Sequence, residues 1–236
     1  MKIIIAPSKT MKYKKHQFST TDLIFPEQTE YLRSLLEQYT DEDLCNLMKI
    51  SYKQALQVYD YYHQQQVQAP ALTLYQGTVF KQLQLDQYHL HTDYLHQHVR
   101  IMSAYYGVLQ YNTAITPYRL DMTIKPDHLN LYSYWYTPIY QYFEQEDFII
   151  SLASKEFTDM INHPHIYFID FIEIDNQKYK RNAMIIKKAR GQMLNQMILQ
   201  EIKTLDELKQ MDIDGFTYNP DNSHEHTLAF IRKKNT

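Results

Sequence analysis

Three cations fall within four residues at Lys187, Lys188 and Arg190, and Gly191 follows them. Ammonium and guanidinium groups at this spacing bind phosphate or carboxylate groups. They belong to a stretch, Asn176 to Gln200, that contains Lys178, Lys180, Arg181, Lys187, Lys188 and Arg190 but no acid. A second acid-free stretch, Met1 to Thr21, contains Lys2, Lys9, Lys12, Lys14 and Lys15. The whole chain carries 24 Lys+Arg against 27 Asp+Glu, so the remainder is strongly acidic. If the two stretches meet in the fold, they form a basic surface on an acidic body that attracts phosphate-bearing partners. If they stay apart, they are a solvated hairpin and a charged N-terminal segment. Locally, residues 187–191 either open a helix or lie in mid-helix. In a first turn their charge opposes the helix dipole unless an anion binds there. After an earlier helix start they face solvent.

Other candidate chemistry is sparser. Ala6-Pro7-Ser8-Lys9-Thr10 follows an apolar run, and its Lys-Thr pair is similar to the end of a phosphate loop without that loop's glycines. Lys9 remains a candidate point charge for a phosphate. His89, His91, His96 and His98 cluster, and His224 and His226 flank Glu225, but neither spacing is that of a metal motif. No metal and no cofactor is therefore expected. Ser154 has no sequence-evident histidine partner and reads as a helix cap with Glu156 in the first turn. The aromatic run around Trp135 either packs or stacks on bases.

The elements that must position these groups are legible in part. Residues 2–6 read as a buried strand stopped by Pro7, and residues 28–39 as a helix. Thr40 with Asp43 reads as a capping box opening a helix, with Leu44, Leu47 and Met48 inward. A second helix from Ser51 puts Ala55, Val58 and Tyr62 inward, so residues 41–63 form a helix-turn-helix unit. Leu72–Tyr75 reads as a strand, 95–109 as an amphipathic segment interrupted by Gly107, 138–143 as part of a helix, and 148–152 as a strand. Ile166–Ile174 and Tyr179–Ile186 read as a hairpin around Asp175-Asn176-Gln177. A helix follows from about Lys187, a short one after Thr204, a strand over 227–231, and a basic tail at Arg232-Lys233-Lys234. No regular βαβ period is visible. The expected fold is a single compact α+β domain over residues 1–236, with irregular strand and helix order.

Composition narrows the class. With 4 glycines, Gly-rich phosphate loops are nearly excluded, and one cysteine, Cys45, permits neither an intramolecular disulfide nor a CxxC site. No apolar run approaches the ~20 residues of a membrane span. The expectation is a cytoplasmic protein with no membrane partner. The sequence specifies no oligomeric state.

Several segments, in order, resemble the YaaA peroxide-stress family. They are Ile5-Ala6-Pro7-Ser8-Lys9-Thr10, Tyr75-Gln76-Gly77, Arg100 with Met102-Ser103-Ala104-Tyr105-Tyr106-Gly107-Val108-Leu109, and Pro117-Tyr118-Arg119-Leu120-Asp121-Met122. Leu131-Tyr132 with Trp135, Leu152-Ala153-Ser154 with Glu156, and Lys187-Lys188-Ala189-Arg190-Gly191 complete the set. The resemblance covers nearly the whole chain. It implies a cytosolic protein of the oxidative stress response, which limits damage from hydrogen peroxide and unincorporated iron. It also implies DNA binding, indifferent to sequence, on duplex or unpaired DNA, through a basic cleft and a helix-hairpin-helix-like element. Carried onto this chain, Lys9, Arg119, Lys187, Lys188 and Arg190 are the cleft candidates, and residues 41–63 the hairpin candidate. The turn Lys49-Ile50-Ser51 lacks the glycines of such a hairpin, and Gln110-Tyr111 stands where the family often has Arg-Pro. The cleft is thus the expected DNA contact. The alternative is an enzyme acting on a nucleoside, nucleotide or base, with a pocket of Lys9, Tyr106, Arg119, Ser154 and Glu156 and with Glu156 as acid/base.

Overall fold

The computed structural model describes residues 1–15, 18–176 and 178–233. Gln177 of the expected hairpin turn and Lys234 of the expected basic tail lie outside the described residues. Ile3, Ile4 and Ile5 are fully buried, as an apolar strand covered on both faces must be. They form strand β1 (Lys2–Ile5), which sits inside a nine-stranded sheet. The first half of the chain continues with α1 (Pro26–Leu36), α2 (Asp41–Met48), α3 (Tyr52–His63), β2 (Ala69–Pro70), α4 (Ala71–Leu74), α5 (Thr92–His98), β3 (Val99–Ser103), β4 (Gly107–Leu109) and β5 (Ala114–Ile115). The second half holds α6 (Leu131–Phe143), β6 (Ile149–Ser151), α7 (Lys155–Thr158), β7 (Ile166–Asp175), β8 (Lys178–Lys180), α8 (Ala183–Gln200), α9 (Leu205–Lys209), β9 (Asp212–Ile213), β10 (Phe216–Tyr218) and β11 (Thr227–Lys233).

The sheet runs β4-β3-β1-β6-β7-β11-β10-β9, with β8 paired to β7 off this path. Its five central strands, β3, β1, β6, β7 and β11, are all parallel, while β4, β8, β9 and β10 pair antiparallel to their neighbours. Counted in chain order, the parallel strands lie second, first, third, fourth, fifth across the sheet. The chain leaves β1 to one side and later returns to β6 on the other. The crevice above the carboxyl ends of β1 and β6 is therefore a topological switch point, where open α/β sheets hold ligands. In register, Ile4 stands opposite Ser151 and Ile5 opposite Ile101. One mixed-sheet domain results, and one continuous buried core joins most of its sheet and helices.

Several expectations are corrected. Residues 71–74 are a helical turn, not a strand: Pro70 precedes it, and Ala71, Leu72, Thr73 and Leu74 are all buried. The segment 95–109, expected to be amphipathic, is instead the end of α5 followed at Val99 by the buried strand β3 and then by β4. Helix α8 starts at Ala183, earlier than expected, because the Asn182 side chain accepts the N–H groups of Met184 and Ile185 and caps it there. Lys187 and Lys188 are thus exposed in its second turn, not in a first turn awaiting an anion.

Helices α2 and α3 form as expected, each opened by a capping box, Thr40 with Asp43 and Ser51 with Gln54. Leu44, Met48, Ala55, Val58 and Tyr62 are buried. The amides of the turn between them are already engaged. The N–H groups of Lys49 and Ile50 both reach the Cys45 carbonyl, and that of Ser51 reaches Gln54 Oε1. No amide of this turn is left to offer, and Asp41, Glu42 and Asp43 add repulsion.

Candidate functional site

The loop after β1 is pinned to the segment that follows α4. Gln76 N–H donates to the Thr10 carbonyl at 2.9 Å, and Lys12 N–H donates to the Leu74 carbonyl at 2.9 Å. Ser8 Oγ accepts the Thr10 N–H at 3.1 Å. Gly77 is needed here for close approach, since a Cβ on it would fall 2.5 Å from Ser8 Oγ. Lys9 is thereby carried to the carboxyl end of β1, where its Nζ meets Asp121 Oδ2 at 2.6 Å. The lysine side chain stays 61% exposed, while Asp121 is 22% exposed.

Asp121 belongs to Tyr118–Met122, which is held from below. Tyr62 OH donates to the Arg119 carbonyl at 2.7 Å and accepts the Arg119 N–H at 3.3 Å. Met122 N–H donates to Glu156 Oε1 at 3.1 Å, tying this segment to α7, just beyond the carboxyl end of β6. Tyr132 OH donates to the Glu156 carbonyl at 3.1 Å and fixes α7 in turn. The resulting pocket is lined by Lys9, Arg119, Asp121 and Glu156. Pro7, Met11, Tyr118, Leu120 and Phe157 supply apolar walls. It sits at the switch crevice between β1 and β6. Lys9 is compensated by Asp121, whereas the Arg119 guanidinium has no ion pair among the described residues.

Beneath the pocket lies a buried chain of hydroxyls. Tyr118 OH is 2.8 Å from Tyr75 OH and 2.7 Å from Ser103 Oγ. Ser103 Oγ also accepts the N–H groups of Tyr105 and Tyr106. With both lone pairs so used, the serine hydrogen points to Tyr118, and Tyr118 in turn donates to Tyr75. Burial pushes the phenol pKa of Tyr75, Tyr105, Tyr106 and Tyr118 above the ordinary value, so these hydroxyls stay protonated donors.

Of the residues expected in an alternative pocket, Lys9, Arg119 and Glu156 come together. Tyr106 is buried with its hydroxyl on Thr116, and Ser154 precedes Glu156 without lining the pocket. Asp121, which pairs with Lys9, was missed; its only signal was its place two residues after Arg119. Trp135 is fully buried, with Nε1–H donating to the Ala104 carbonyl at 2.8 Å, so it packs and does not stack on bases. The histidines have separate partners: His89 the Asp86 carbonyl, His91 Glu201, and His98 the Met1 carbonyl. Among the described residues no group of three or more His, Cys, Asp or Glu could hold a metal.

Lys187, Lys188 and Arg190 stand apart from this pocket on α8. Lys188 Nζ is 3.4 Å from Asp214 Oδ2, and Lys187 has no ion pair among the described residues. Arg190 is half-buried. Burial pushes its pKa below the ordinary value, Asp170 pulls it back, and its Nε has no hydrogen-bond partner. Acids also reach other cations of the two acid-free stretches: Glu146 to Lys2, Asp175 to Lys180 and Asp170 to Arg181. Lys12, Lys14, Lys15 and Lys178 carry no ion pair among the described residues.

Both stretches nevertheless border one segment, residues 77–86. Gly77 presses on Ser8, and Lys14 and Lys15 share a groove with Leu83–Asp86. From the other side, Gly191 of α8 packs so closely on Val79 and Gln82 that any Cβ would overlap the Val79 carbonyl oxygen. Asn195 Oδ1 then accepts from Gln84 N–H at 2.9 Å and from Tyr88 OH at 2.7 Å.

Comparison with known proteins bears on this arrangement. A family model described as peroxide stress protein YaaA matches residues 1–222. A UPF0246 protein of Fusobacterium nucleatum is 31% identical over 99% of both chains. UPF0246 proteins of Finegoldia magna and Pediococcus pentosaceus are 34% and 33% identical, over 98% and 99% of both chains respectively.

Proposed function

This chain belongs to the peroxide stress protein YaaA family, and we propose that it protects against hydrogen peroxide and iron-driven damage by binding DNA phosphates, whatever the base sequence. The observation that carries the reading is the convergence of the two acid-free stretches on residues 77–86. It is joined by the unpaired charge of Arg119, Lys12, Lys14, Lys15 and Lys187 among the described residues. Phosphate contacts of this kind supply affinity and position but no sequence reading. Lys9 and Lys188 contribute less, because Asp121 and Asp214 already compensate them.

The test is duplex binding by Lys14→Ala/Lys15→Ala and by Lys187→Ala, all exposed side chains whose loss leaves the fold intact. Each lost contact flattens the plot of log affinity against log salt by about 0.9, equally for unrelated sequences. Unchanged affinity and slope in both variants would remove the cleft assignment.

A further inference from the structure

The phosphate reading gives Arg119 a role but leaves Glu156, in the same pocket, unexplained, since a groove for a DNA backbone has no use for a carboxylate. Glu156 stands in the pocket with Oε1 held by the Met122 N–H, and no hydrogen bond engages Oε2 among the described residues. Arg119 lines the same pocket with its backbone locked by Tyr62 and its guanidinium free of any carboxylate among the described residues. Met11, Leu120 and Phe157 add apolar lining to the same pocket. A ligand that satisfies all three features has an anionic group, a flat body with little polarity on its faces, and a hydrogen-bond donor edge.

We infer that this pocket takes one nucleotide, its phosphate on Arg119 and the amino edge of its base on Glu156. Guanidinium forks suit phosphate oxygens. A carboxylate accepts from the exocyclic amino group of cytosine or adenine and opposes the carbonyl oxygens of uracil or thymine. The site lies where sheets of this strand order hold ligands. The inference deepens the nucleic-acid reading, and the source of the nucleotide is either a free monophosphate or an unpaired nucleotide in DNA.

The experiment is calorimetric titration of the full chain with cytidine and uridine monophosphate. Cytidine monophosphate binds about tenfold tighter than uridine monophosphate. Glu156→Gln, which keeps an acceptor for Met122 N–H, brings the two ligands within about threefold while duplex affinity stays within about twofold. Arg119→Gln weakens cytidine monophosphate about tenfold and leaves cytidine, which lacks the phosphate, unchanged. An oligonucleotide bubble of cytosines that displaces cytidine monophosphate assigns the pocket to DNA; failure to displace it assigns the pocket to the free nucleotide. Equal binding of the two monophosphates, or no binding of either at millimolar concentration, overturns the inference. Such a result leaves the duplex phosphate contacts standing, whereas a flat salt response with intact monophosphate binding removes only those contacts.

Discussion

Replacing Tyr118 by Phe removes one oxygen from the middle of the buried hydroxyl chain and leaves the ring in place. Tyr118 stacks on Tyr105 at 5.3 Å between centroids, so the packing survives. Two polar groups lose their partners. The Ser103 hydrogen loses its acceptor, because both serine lone pairs already serve Tyr105 and Tyr106 N–H groups. The Tyr75 oxygen loses its donor at 2.8 Å. Tyr75 is wholly buried, so water cannot replace the lost partner there. Each orphaned buried group costs about 1–3 kcal/mol, which gives about 2–6 kcal/mol for the variant. At about 2–4 °C per kcal/mol for a domain of this size, Tm falls by about 4–24 °C. Tyr75→Phe ends the chain without breaking its middle and leaves one orphan, the Tyr118 hydrogen, for about half the loss. Calorimetric unfolding of both variants reads the difference. Tyr75→Phe costing as much as Tyr118→Phe, or both costing nothing, would refute the donor order assigned here.

Three further outcomes follow from the same geometry. Gly191→Ala drives a Cβ into the Val79 carbonyl and Gln82, so it destabilises by about 1–3 kcal/mol in urea unfolding; an unchanged urea midpoint would show that α8 is not seated on residues 77–86 as described. Thr40→Ala and Ser51→Ala each remove a capping box and cost about 1 kcal/mol, with no effect on DNA affinity; loss of affinity in either would restore a DNA role to α2 and α3. Alkaline stability has a defined sign. Burial raises the phenols of Tyr62, Tyr75, Tyr105, Tyr106 and Tyr118 and pushes Tyr134 up to about 12. Unfolded tyrosines lose their protons near about pH 10, so stability is full below that pH and falls as pH rises above it. Equal urea midpoints at about pH 9 and pH 11 would contradict this.

What the sequence showed and what it hid have physical reasons. The strand at Ile3–Ile5, the capping box at Thr40 and the hairpin after Ile174 depend on neighbouring residues, and local pattern carries them. Strand β3 was hidden because a five-residue strand buried on both faces has no alternation, and its sequence merges with the helix before it. Start of α8 was misplaced because Ile185 and Ile186 are β-branched and suit a strand, whereas the Asn182 cap decides the outcome. At the site, Lys9, Arg119 and Glu156 were legible as residue types, but the pairing of Lys9 with Asp121 spans 112 positions and depends on strand order. Segregation of charge along the chain also overstated segregation in space, since Asp121, Glu146, Asp170, Asp175 and Asp214 reach many of the basic residues.

Salt titration of duplex DNA binding tests the central claim most directly. Arg119, Lys12, Lys14, Lys15 and Lys187, unpaired among the described residues, predict a slope of log affinity against log salt of about −4.5 on unrelated duplexes. A slope near zero, or strong preference for one duplex sequence, would contradict an interface built on phosphate charge.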